Sequence, residues 1–190
     1  MPQPDHIVKV ALPDQDKLDD DIKGYFEKCD EKLGMVPNVL RAFTFNQDKF
    51  RTFSKFYNQL MLGDSVLTKL EREMIAVTVS SCNRCYYCLV AHGQAVRELS
   101  GDPQLGEMIA MNYRIAELDP KQRAMLDFAW KLTDTPHDIG DADREALRNV
   151  GWDDQGICDI TDTTSFYNYT NRMAHGMDMI PNPEYHKMSR

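Results

Sequence analysis

Apolar residues in this chain recur at the three- and four-residue spacing of amphipathic helices, and strict alternation is scarce. There is no Asn-Gly hairpin signal and no run of alternating β-branched residues, whereas helix punctuation is frequent. The pattern predicts an all-α protein. Helices are expected from about Lys17 to Lys32 with Gly34 just beyond, from Pro37 to Phe45, and from Asn46 to near Gly63. Thr68 opens "TKLE", a capping box with Glu71 at its third position, and the helix it starts should reach about Ser80. Asn83 is the expected cap of the next helix, which closes at Gly101. Asp119-Pro120 starts a helix ending near Asp134, a short one runs from Asp141 to Gly151, and a long one from Asp153 to about His175.

The 190 residues suit one domain with a self-sufficient core. The segment 134–143, "DTPHDIGDAD", is the one linker candidate, and it is too short to mark a boundary, so residues 1–190 are assigned to a single helical domain. The helices on its two sides, 68–99 and 119–175, suggest an internal duplication, although no matching residues establish one. Lys and Arg total 22 against 30 Asp and Glu, a net charge of −8, which repels phosphate backbones and anionic lipid surfaces. Neither nucleic acid nor membrane is expected as a partner. With no basic-then-apolar leader and no spanning-length apolar run, the expected location is cytoplasmic.

The five cysteines are unevenly placed. Cys29 and Cys158 stand alone and read as ordinary buried thiols, whereas Cys82, Cys85 and Cys88 cluster in "SSCNRCYYCLVAHG". At about 100° per residue, Cys85, Cys88 and His92 share one stripe with Leu89, Val96 and Leu99. Gln94, Arg97 and Glu98 fall on the opposite face, expected to meet solvent or a neighbouring subunit. Zinc fits poorly: on one continuous helix Cys85 and His92 lie about 10 Å apart along the axis, and zinc ligands must converge to about 2.0–2.3 Å from the ion. Iron–sulfur chemistry lacks a fourth cysteine.

A dithiol fits better, with Cys85 in the first turn, where amide donors and the helix dipole favour a thiolate, and His92 one turn beyond Cys88. The plainer alternative is a buried helix whose cysteines act as small hydrophobes. In the preceding helix, Glu73 lies on the core side with Leu70, Met74 and Val77. An ionised carboxylate buried without a partner is costly, so Glu73 either joins an ion pair, for which Arg72 is the nearest candidate, or moves protons. The apolar circumference from Met74 to Val79 suggests self-assembly.

Glu73, eleven intervening residues, then Cys85-x-x-Cys88-x-x-x-His92 resembles the alkylhydroperoxidase D family within the carboxymuconolactone decarboxylase-like superfamily. The motif covers residues 66–95, and "LGMVPNVLRAF" and "SFYNYTNRMAHGM" resemble its peroxidase-related branch. The resemblance implies a helical fold assembled as trimers or hexamers, and a thiol peroxidase acting on hydrogen peroxide or organic hydroperoxides, recycled by a dithiol reductant protein. It implies that Cys88 attacks, Cys85 resolves, and Glu73 and His92 move protons, with no metal, haem or flavin. Helix position alone would choose Cys85 as the attacking sulfur.

Two positions depart from the family pattern. Tyr87 stands where a relay histidine is usual and projects away from the thiols, and Cys82 is a further thiol that could resolve in place of Cys85. In the last long helix, Thr164, Asn168, Asn171 and His175 form a polar stripe read as a solvated or subunit-facing surface, with Tyr167 and Asn171 noted as possible pocket residues. The competing functions are a non-redox lactone decarboxylase on the same fold, which does not depend on paired cysteines, and a thiol–disulfide adaptor with little peroxide turnover.

Overall fold

The computed structural model describes residues 3–190. Its centre is the helix that Thr68 opens. Thr68 Oγ1 accepts from the Glu71 amide at 3.2 Å, and Glu71 Oε2 accepts from the Thr68 amide at 2.8 Å, closing the predicted capping box. We number the α-helices in chain order: α1 Asp20–Leu33, α2 Asn38–Ala42, α3 Gln47–Leu62, α4 Lys69–Cys82, α5 Tyr86–Ser100, α6 Leu105–Asn112, α7 Pro120–Asp134, α8 Asp141–Asn149 and α9 Asp154–Gly176. Short 3-10 turns join or flank them, and no strand occurs among the described residues. No described helix is long and apolar enough to cross a membrane.

The other caps follow the punctuation. Asn46, Asp119 and Asp153 each accept an amide hydrogen bond at the start of α3, α7 and α9. Gly34 and Gly101, at φ 70° and 68°, end α1 and α5 in the left-handed conformation that glycine adopts without strain.

Every residue of α4 from Glu71 to Ser80 is buried, because α5, α6, α7 and α9 pack around it. Its apolar circumference is therefore satisfied within one chain and calls for no neighbouring copy. One apolar core runs from Leu18 in the N-terminal segment to Tyr167 in α9. The face of α5 expected to meet solvent or a neighbour is instead partly covered by the chain's own C-terminal segment. Arg97 Nη2 donates to the Tyr185 and Met188 carbonyls at 3.0 and 3.2 Å, and Gln94 Nε2 donates to Ser189 Oγ at 3.3 Å. Glu98 alone of the three remains exposed.

The pattern did not predict α6. Its propensity is weakened by Gly106, and packing supplies what propensity lacks. A Cβ at Gly106 would lie 2.7 Å from the Gly93 carbonyl oxygen of α5, so the two backbones meet there with no room for a side chain. The 134–143 segment is no flexible linker: Thr135 N donates to Lys131 O at 2.9 Å, and Lys131 Nζ reaches Asp143 Oδ1 at 2.7 Å.

Gly106→Ala should destabilise the protein by about 1–3 kcal/mol, because a rigid backbone must give way. Gly93→Ala, whose Cβ would meet nothing nearer than Arg97 Nη1 at 3.9 Å, should be neutral or stabilising by up to about 1 kcal/mol. Urea unfolding of the two variants measures the contrast, and equal effects would contradict the close approach.

Candidate active site

The site is built on the reversal between α4 and α5. The expected helix start at Asn83 is corrected: Asn83 ends α4, Arg84 takes a left-handed φ of 55°, and Cys85 is the N-cap of α5. Asn83 does not cap because its side chain is engaged elsewhere. Its Nδ2 donates to Asn168 Oδ1 at 3.1 Å and Asn171 Oδ1 at 3.0 Å on α9. The turn is closed by the Cys85 amide, which donates to the Ser80 carbonyl at 2.8 Å. Cys85 therefore precedes the first helical turn and Cys88 sits within it.

Both cysteines are free thiols, Cys85 at 1% and Cys88 at 3% exposure, in an apolar cluster with Val8, Ala42, Tyr87, Ala174 and Met179. The neighbouring Cys88 thiol, against the opposing effect of burial, pushes Cys85 down to about 7. The Cys88 amide, His175 and His92 act in the same direction. Cys88 is pushed up by the same pairing and by burial, while Asn171 and Ser80 oppose the rise. The two shifts run in opposite directions, so ionisation of the pair favours Cys85 over Cys88.

Glu73 is 8% exposed and does not pair with Arg72. Arg72 donates instead to the backbone carbonyls of Leu60 and Leu67, at 3.0 to 3.2 Å. The partner of Glu73 is His92, whose Nδ1 donates to Glu73 Oε2 at 2.6 Å. That bond fixes the ring and leaves Nε2 as its second proton-carrying atom. The Tyr167 ring stands edge-on to His92, with centroids 4.7 Å apart, and its buried hydroxyl has no hydrogen-bond partner.

The polar stripe of α9 is the main correction to the sequence reading. Thr164 and Asn171 are fully buried and Asn168 is half-buried, so this part of the stripe turns inward to the α4–α5 reversal, while His175 stays exposed. Asn171 Nδ2 donates to Ser80 Oγ at 3.0 Å, and His175 Nε2 donates to the Asn83 carbonyl at 3.0 Å. Ser80, Asn83 and Asn171 are thus site residues that were absent from the expected catalytic set. The available signal was Tyr167 and Asn171, four apart on one face, but nothing local says what that face meets.

The remaining expectations can be placed as well. Tyr87 faces α2, where its hydroxyl accepts from the Val39 amide at 3.0 Å. Cys82 ends α4 half-buried, and burial pushes its thiol up. Cys29 is half-buried, and Cys158 is exposed rather than buried, because α9 turns it outward. Among the described residues no group of His, Cys, Asp and Glu converges as a metal site.

Residues 47–129, which enclose Glu73, Cys85, Cys88 and His92, match the model of the carboxymuconolactone decarboxylase family. An uncharacterized peroxidase-related protein of Silicibacter sp. TM1040 is 58% identical, with 100% of both chains covered and a TM-score of 0.96. A second, from Ralstonia eutropha JMP134 and described as an alkylhydroperoxidase AhpD core, is 42% identical over 97% of each chain with a TM-score of 0.93. The debrominase Bmp8, in complex with 2,3,4-tribromopyrrole, shares the fold at a TM-score of 0.78 but with 14% identity, covering 97% of this chain and 96% of its own. No curated protein matches the sequence significantly.

The lowering of Cys85 depends first on its neighbour Cys88. Alkylation of Cys85 by iodoacetamide, followed by peptide mass spectrometry, should show a midpoint near pH 7 in the native protein. In Cys88→Ala the midpoint should rise toward 9.0, because the thiolate loses that neighbour. An unchanged midpoint would assign the effect to the end of α5 alone.

Proposed function

The chain belongs to the carboxymuconolactone decarboxylase-like superfamily, in its alkylhydroperoxidase D-like form, and from the buried thiol pair beside a carboxylate–imidazole pair we propose that it is a thiol-dependent peroxidase for hydrogen peroxide or organic hydroperoxides. The carrying observation is the joint burial of two free thiols, Cys85 and Cys88, and of Glu73 bonded to His92 at 2.6 Å. A non-redox decarboxylase would not need two reduced sulfurs.

In this reading Cys88 passes its proton to Cys85, and the Cys88 thiolate attacks one peroxide oxygen. The O–O bond breaks, Cys88 becomes a sulfenic acid, and the departing alkoxide or hydroxide takes a proton delivered through His92. Glu73 holds the imidazole in orientation. Cys85 then attacks Cys88 Sγ, water leaves, and a disulfide forms before over-oxidation can occur. A dithiol reductant protein restores both thiols. No metal, haem or flavin enters the cycle.

The family resemblance also carries assembly into a homo-oligomer, trimer or hexamer. Met111 at 82% exposure and Ile115 at 62% are the most exposed of the large apolar side chains available for such contacts. Light scattering should give a mass that is a multiple of 21.9 kDa at micromolar concentration, and a stable monomer would remove this part of the proposal.

Peroxide consumption with a generic dithiol as reductant tests the activity. Cys88→Ser should abolish turnover, and Cys85→Ser should leave a peroxide-dependent sulfenic acid on Cys88. Glu73→Gln and His92→Asn should each slow the reaction by about 10²–10⁴-fold. Stoichiometric disulfide exchange without peroxide-dependent turnover would mark a thiol–disulfide adaptor instead.

A further inference from the structure

Cys85 is 1% exposed and Cys88 3%, and a thiol exchanges only with a sulfur that can reach it. A protein dithiol, or any reagent of comparable bulk, therefore needs part of the cover to move aside. That cover is the apolar cluster around the two thiols. Part of it is helical, with Ala42 from α2, Tyr87 from α5 and Ala174 from α9. The rest comes from the chain ends: Val8 lies in the segment before α1, which has no helix from residue 3 to residue 14, and Met179 lies just after α9.

The two ends are held very differently. The C-terminal stretch is tied to the helical body by side-chain hydrogen bonds. Asn182 Oδ1 accepts from the Asn38 amide at 2.7 Å, Asn182 Nδ2 donates to the Val36 carbonyl at 2.9 Å, and Asn38 Nδ2 donates to the Ile180 carbonyl at 2.8 Å. Arg97 clamps the chain further on, at Tyr185 and Met188. Residues 3–12 have no such anchor. Among the described residues, every hydrogen bond and ion pair they make goes to residues 177–186, apart from the bond that Tyr86 Oη donates to Gln3 Oε1. Two are backbone bonds, from Lys9 N to Met177 O at 2.9 Å and from Ile180 N to Ile7 O at 3.0 Å. Asp178 adds contacts at 3.1 Å to His6 and to Lys9 at the surface, where such pairs contribute little. Val8 is the one buried residue of the segment.

We propose that residues 3–12 form a lid over the dithiol, which swings away from residues 177–186 and lets a bulky thiol reagent reach Cys85 and Cys88 while the helical body stays folded. A segment with one buried side chain and peripheral hydrogen bonds belongs to the low end of local opening free energies. That the natural reagent is a protein dithiol recycling the disulfide rests on the thiol-peroxidase reading. The lid itself is tested on the reduced protein, without peroxide.

Hydrogen exchange of the native protein gives the first readout. The Lys9 and Ile180 amides should exchange about a hundredfold or more faster than the Cys85 amide, which donates to the Ser80 carbonyl inside the fold. Labelling by a polymer-linked maleimide, located by peptide mass spectrometry, gives the second, with exposed Cys158 as the internal standard of reagent reactivity. Val8→Ser should raise labelling of Cys85 and Cys88 relative to Cys158 by about tenfold, the lower end of what burying a valine contributes. Asp178→Asn retains a residue type that tolerates the φ of 50° at this position, and should raise it by about two- to fivefold. If Val8→Ser does not fold, Asp178→Asn and the exchange measurement decide. Lys9 and Ile180 amides exchanging no faster than the Cys85 amide, or relative labelling unchanged in the folded variants, would overturn the lid. Native protein that consumes no peroxide, with labelling rising as expected in the variants, would sink the peroxidase reading and leave the lid standing.

Discussion

Because α4 has no solvent-facing side through its central turns, its charged and hydrogen-bonding side chains look for partners within the protein, and among those that are buried Thr78 Oγ1 is left without one among the described residues. Arg72 reaches the carbonyls between α3 and α4, Glu73 meets His92 of α5, and Ser80 meets Asn171 of α9. These demands tie the surrounding helices to fixed positions. They also account for the site's place in the fold, since the side chains that satisfy α4 are the ones that surround the thiols. A carboxylate left unpaired at that depth would be strongly unfavourable, so the bond at 2.6 Å holds the packing together before it does any chemistry.

The same burial governs the chemistry. In a poorly solvated pocket the difference between one hydrogen-bond donor and none is large, and a dithiol is sensitive to which of its sulfurs faces the donors. Cys85 has the helix end and its neighbour's thiol, whereas Cys88 has two side chains from α4 and α9. Tyr167 packs edge-on against the His92 ring from α9, with a buried hydroxyl that has no partner among the described residues.

The chain ends close the other side. Lys9 N donates to Met177 O at 2.9 Å, and Ile180 N donates to Ile7 O at 3.0 Å, so residues on both sides of the helical body meet beside the thiols. Val8 and Met179 join Cys85 and Cys88 in one apolar cluster, and Asn182 is bound to the Asn38 amide at 2.7 Å. These straps keep water from the thiols without adding a helix.

What could be read from the residues alone was whatever depends on near neighbours. The capping box at Thr68–Glu71, the caps at Asn46, Asp119 and Asp153, and the glycine ends at Gly34 and Gly101 all rest on contacts within a few residues, and each lies where the pattern placed it. The inward side of Glu73 was legible from helical period, as was the grouping of Cys88 with His92. The part decided only by tertiary structure was the choice of partner. Asn83 has the composition of a helix cap but bonds to Asn171, 88 positions away, and Asn171 reaches Ser80 across 91. The α9 stripe looks like a surface because polar residues usually face water, and α6 is held by a glycine contact that no propensity reports. A local hydrogen bond is specified by the few residues that make it, whereas a buried polar group takes its partner from whichever element packing brings alongside, and that depends on the whole chain at once.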